Sequence, residues 1–131
     1  MRVNILCPDG VHYVRAAGDG TLDAGATIAD TWECFILEEQ SDGHFALRTI
    51  DEHPQPRRYV RADCGREKTL VADRCEAAEH EHFTLESLGD GRVAIRTYHD
   101  GYWRAVSEGG SALDALGRVP DAWEAFTIRI I

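Results

Sequence analysis

Histidine and cysteine are the residues of this chain best suited to chemistry, and they gather in its middle third. His80 and His82 stand two apart, which puts both rings on one face of an extended strand, and Cys64 and Cys75 precede them. Two imidazoles and two thiolates form a zinc ligand set. Their spacing argues against one: Cys64 and Cys75 are too far apart for a Cys-x-x-Cys knuckle, so neither a metal nor another cofactor is expected. Upstream, Ile50-Asp-Glu-His-Pro-Gln-Pro-Arg-Arg58 brings His53 close to Arg57 and Arg58. This segment is five residues longer than its counterpart before Tyr102, and its two prolines should hold it extended and out of the sheet, so it is a candidate ligand loop. The chain has no Gly-x-Ser-x-Gly elbow, His-Glu-x-x-His pair or phosphate-cradling glycine loop, and an enzyme is not expected.

Short apolar pieces fenced by Gly, Asp and Pro must position these residues, and they recur in one order three times. The last copy reads Val93-Ala-Ile-Arg-Thr97, Tyr102-Trp-Arg-Ala105, Leu113-Asp-Ala115 and Trp123-Glu-Ala-Phe-Thr-Ile128. The middle copy reads Phe45-Ala-Leu-Arg-Thr49, Tyr59-Val-Arg-Ala62, Leu70-Val-Ala72 and His80-Glu-His-Phe-Thr-Leu85. The first reads Val3-Asn-Ile5, Tyr13-Val-Arg-Ala16, Leu22-Asp-Ala24 and Trp32-Glu-Cys-Phe-Ile-Leu37. Leu22 to Phe35, Leu70 to Phe83 and Leu113 to Phe126 each span thirteen residues. Three units follow, over about 1–43, 44–91 and 92–131, each of four short strands. No unit of four strands buries an apolar face alone, and three propeller blades do not close a ring. The expected fold is all-β: one β-trefoil domain over residues 1–131, with twelve short antiparallel strands and minimal helix.

The bulk numbers agree with a single folded domain. The 131 residues are 44% hydrophobic, which suits a globular chain, and the formal net charge is −9. That charge is uneven: units one and two are acidic, and unit three is balanced. An acidic chain is a poor partner for nucleic acid or anionic lipid. Residues 1–20 lack a signal peptide's basic start and apolar centre, no run is long enough to span a bilayer, and Arg2 rules out myristoylation. A monomer kept in the cytoplasm, with little or no tail after Ile131, is expected. Cys7, Cys34, Cys64 and Cys75 fall at non-equivalent places in the units and are expected as free thiols.

The repeated residues have structural jobs. Phe35, Phe83 and Phe126, with Leu37, Leu85 and Ile128, should face the core beside Ile5, Leu47 and Ile95. Leu22, Leu70 and Leu113 should lie near the barrel floor. Glu33, Glu81 and Glu124 recur in threefold display, unlike a catalytic carboxylate, and should accept backbone N–H bonds. Arg15, Arg61 and Arg104, like Arg48 and Arg96, should pair with carboxylates. Trp32 and Trp123 should cover the barrel end, with His80 in that place in unit two; stacking on a sugar is the functional alternative. Trp103 replaces Val14 and Val60 and either fills core volume or marks a pocket peculiar to unit three.

The pieces Val93-Ala-Ile-Arg-Thr97, Gly101-Tyr-Trp-Arg-Ala105 and Trp123-Glu-Ala-Phe126 resemble the repeats of fascin-like β-trefoils, over nearly the whole chain. The resemblance implies a non-catalytic binding module. Its fascin and hisactophilin branches bind actin, and the latter responds to pH. One domain offers no obvious second site for bundling, six histidines are few for a hisactophilin, and ricin-type Gln-x-Trp repeats are absent. Two readings stand: recognition of a glycan or protein ligand through surface loops, or actin binding of the fascin/hisactophilin type, tuned by histidine protonation. The candidate ligand residues are His53, Arg57, Arg58, His80, His82 and Trp103.

Overall fold

The computed structural model describes residues 1–40, 43–50, 58–62, 70–74, 81–98 and 101–131. Among them, twelve strands follow the expected pieces. Unit one has β1 (Arg2–Leu6), β2 (Tyr13–Ala16), β3 (Leu22–Ala26) and β4 (Cys34–Glu39). Unit two has β5 (Phe45–Thr49), β6 (Tyr59–Ala62), β7 (Leu70–Arg74) and β8 (Phe83–Gly89). Unit three has β9 (Arg92–Thr97), β10 (Tyr102–Ala105), β11 (Leu113–Gly117) and β12 (Thr127–Ile130).

The first and fourth strands of each unit build a closed barrel. Within units, Val3 pairs with Phe35, Phe45 with Phe83, and Val93 with Phe126, always at the same repeat position. Between units, Leu37 faces Leu47, Leu85 faces Ile95, and Ile128 faces Ile5. Closure in this order leaves no free barrel edge, which is the way an antiparallel sheet avoids pairing with other chains. The hairpins β2–β3, β6–β7 and β10–β11 cap one end, and each shifts register once. Their tips interlock: the Ala72 amide donates to the Gly20 carbonyl at 2.7 Å, and that of Ala24 to the Ser111 carbonyl at 3.0 Å. This is a β-trefoil.

Two glycines are needed for close approach. A Cβ on Gly20, whose φ is +94°, would lie 2.6 Å from the Ala72 carbonyl oxygen. One on Gly101 would collide with the Ala115 carbonyl oxygen, so this glycine serves packing between β10 and β11 and needs no left-handed turn.

Phe35 and Phe126 are fully buried and Phe83 is nearly so, with Ile5, Leu47, Ile95 and the three repeat leucines around them. Leu37, Leu85 and Ile128 pack against this core but stay partly exposed. Trp103 stands edge-on to Phe83 (ring centroids 5.3 Å apart) and to Phe126 (6.4 Å). Those edge-to-face contacts put the positive rim of one ring on the negative face of another.

A fourth-strand glutamate, a first-strand arginine and a second-strand tyrosine clamp successive units. Arg48 Nε and the Tyr59 hydroxyl donate to Glu38 at 2.9 and 2.7 Å. Glu86 accepts from the Tyr102 hydroxyl at 3.0 Å and pairs with Arg96 at 3.3 Å. Burial alone would raise the Glu38 carboxyl, but these donors and the Arg48 charge outweigh it and hold the group below its usual range. Where unit three meets unit one, Arg129 and Leu6 take the glutamate and arginine positions.

Candidate functional site

Two matching turns lie just before the fourth strands of units one and three. There, Asp30-Thr-Trp-Glu33 and Asp121-Ala-Trp-Glu124 each form a 3₁₀ turn closed by a reciprocal cap. The aspartate accepts from the next amide at 2.9 Å, and the glutamate reaches back to the aspartate's amide at 2.8 Å in unit one and 2.9 Å in unit three. Glu33 and Glu124 are therefore buried acceptors at the start of a strand, as their repetition suggests. Glu81 is buried as well.

The cap turns each tryptophan toward an arginine on the second strand. In unit three, Arg104 grips Asp114 with Nε at 3.1 Å and Nη2 at 2.9 Å, and its guanidinium lies over the Trp123 ring, 5.7 Å from the centroid. Trp123 is 38% exposed and stands at the wall of a cleft of about 450 Å³. Arg118, Val119, Asp121 and the buried Glu124 share the lining with Leu116, Gly117 and Ala122, so the cleft has two positive and two negative side chains around one indole. Arg15 repeats the ion pair in unit one, with two nitrogens on Asp23 Oδ2 at 3.2 and 2.9 Å. With Asp30, Thr31, Trp32 and Glu33 it lines a cleft of about 340 Å³. Both volumes suit a small ligand. In unit two, Val71 faces Arg61 where units one and three have Asp23 and Asp114.

The candidates taken from the sequence fall in different settings. His53, Arg57 and His80 lie outside the described residues, as do Cys64 and Cys75 of the considered zinc set. Arg58 is half-buried and holds the strand end through its backbone: its amide donates to Thr49 Oγ1 at 3.0 Å, and its carbonyl accepts from the Thr49 amide at 2.9 Å. His82 is half-buried, its ring 5.8 Å from that of His44, and its Nε2 has no partner among the described residues. Trp103 corrects the ligand reading: at 0% exposure it has no surface to offer, and it packs in the core as Val14 and Val60 do in units one and two.

Arg104, Arg118 and Asp121 were not singled out as ligand residues by sequence, and Trp123 entered as a cover of the barrel end with sugar stacking as its alternative. A signal was present. Asp-x-Trp-Glu occurs twice with cap spacing, and a cap that fixes the turn also fixes where the indole points.

Two titratable groups in the turn between β1 and β2 are shifted. Burial, reinforced by the Asp9 and Asp23 charges, pushes the Cys7 thiol up to about 12. For Asp9, burial acts upward, but bonds from the His12 and Val11 amides and from the His12 ring prevail and lower it.

A designed threefold-symmetric protein, ThreeFoil, has a solved structure similar to this chain. The TM-score is 0.81 over 99% of both chains, at 10% sequence identity, which is a likeness of fold. No family model and no curated protein matches the sequence. Among the described residues, no helix is long and apolar enough to cross a membrane.

Proposed function

We propose that the protein is a non-catalytic binding module that takes a glycan in the Trp123 cleft of unit three, with the Trp32 cleft of unit one as a second, smaller site. One observation carries this reading: an indole 38% exposed, backed by a guanidinium, at the wall of a cleft whose charged groups balance. Sugar rings present apolar C–H faces to an aromatic ring and hydroxyl groups to charged side chains. Arg118 and Asp121 line the same cleft and offer charged groups to such hydroxyls, and the balanced charge suits a neutral ligand. The resemblance of the repeats to fascin-like trefoils supports a binding role over a catalytic one.

A glycan array followed by calorimetry tests the proposal. Binding to a defined sugar that is lost in Trp123→Ala supports it. An array without a hit, together with co-sedimentation on actin filaments, would replace it by the actin reading.

A further inference from the structure

Three seams join the units, and the third carries the opposite charge. At the other two, a carboxylate sits between an arginine and a tyrosine hydroxyl: Glu38 with Arg48 and Tyr59, and Glu86 with Arg96 and Tyr102. Register sets up both. Glu38 lies opposite Ala46 and Arg48 opposite Tyr59, whose side chain reaches back to the glutamate. Glu86 lies opposite Ala94 and Arg96 opposite Tyr102. The third seam keeps this register, with Arg129 opposite Asn4 and Leu6 opposite Tyr13. The tyrosine is retained, an arginine stands where the carboxylate should be, and a leucine stands in place of the arginine.

The exchange removes the acceptor and leaves two donors. Tyr13 is half-buried and Arg129 exposed, and neither side chain has a hydrogen-bond or ion-pair partner among the described residues. A guanidinium only donates, so Arg129 cannot replace the glutamate as acceptor for the tyrosine hydroxyl. Leu6, 6% exposed, brings no charge. Asp30, which shares a cleft with Arg2 and Asn4 beside this seam, already accepts from its own turn. We propose that the outer wall at the third seam binds a small carboxylate, which takes the place that Glu38 and Glu86 fill at the other two, accepting from the Tyr13 hydroxyl and pairing with Arg129. Two seams of the same barrel hold this group with the same two kinds of donor, which is the reason for a carboxylate over another anion. A planar carboxylate also matches the fork of a single guanidinium. The inference is independent of the glycan sites.

The test is an NMR titration of the isotope-labelled protein with acetate at millimolar concentration, beside chloride at equal ionic strength and acetamide as the neutral isostere. Acetate should shift the Arg129 Nε–H and Tyr13 ring signals; chloride and acetamide should not. Arg129→Glu supplies the missing carboxylate from the chain itself, so it should abolish the acetate shifts while melting no lower than the parent. Tyr13→Phe should weaken acetate binding by about threefold or more, the loss of one hydrogen bond, without lowering the melting temperature. Tyr59→Phe, whose hydroxyl is bonded to Glu38, should melt lower. No shifts with acetate, equal shifts with chloride or acetamide, or shifts retained in Arg129→Glu would overturn the proposal. A melting temperature lowered as much in Tyr13→Phe as in Tyr59→Phe would also overturn it, by showing that the Tyr13 hydroxyl is bonded within the protein.

Discussion

The guanidinium of Arg104 lies over the indole of Trp123, 5.7 Å from its centroid, while its own nitrogens are fixed on Asp114. The ion pair immobilises the cation, and the cation props the ring. Arg104→Ala should therefore loosen Trp123 more than it destabilises the fold, costing about 1 kcal/mol of unfolding free energy for an exposed contact. Acrylamide quenching of tryptophan fluorescence should rise, with the denaturation midpoint only slightly lowered.

The opposite pattern is expected at Trp103. It is 0% exposed between Phe83 and Phe126, so Trp103→Ala removes core volume and should cost about 3–5 kcal/mol. Urea denaturation measures it. A loss below about 1 kcal/mol would be too small for a buried indole even if the cavity closed, and the core assignment would fail.

The reciprocal caps have their own signature. Asp121→Ala removes the acceptor for the Ala122 amide and should cost about 0.5–2 kcal/mol. Glu124→Gln keeps an oxygen for the Asp121 amide and should cost less than Glu124→Ala. Equal losses for Gln and Ala would show that charge, and not the hydrogen bond, matters.

Cys7 gives a pH dependence whose sign is fixed. The folded thiol titrates near 12 against an ordinary value of 9.0, so between these the folded state holds a proton that the unfolded chain has released. Stability is complete below pH 9 and falls as pH rises toward 12. Thermal melts of the parent and Cys7→Ala across that range should converge at the alkaline end. Native Cys7, which is 2% exposed, should also resist thiol reagents at neutral pH.

The fold could be read from sequence because three copies constrain one another. The fixed Leu-to-Phe spacing locates the third and fourth strands, and alternation names the buried side. Trp103 shows where that logic stops. A single copy carries it, so repetition could not separate core from pocket, and only packing against Phe83 and Phe126 does. The cleft was less legible because its parts come from separated pieces. Arg104 is on β10, Arg118 follows β11 and Trp123 precedes β12, and they meet because β10 pairs with β11 and the cap turn packs back on β10. The cap Asp121-Ala-Trp-Glu124 was the local clue, since it sets the indole's direction within four residues.

The account rests on the two indoles as ligand platforms. Calorimetry with the best glycan from an array, run on the parent, Trp123→Ala and Trp32→Ala, tests this most directly. Trp123→Ala should weaken binding by at least about tenfold, about 1.4 kcal/mol, with the melting temperature nearly unchanged. Trp32→Ala should remove the weaker of two sites. Undiminished affinity in the double variant would contradict the account.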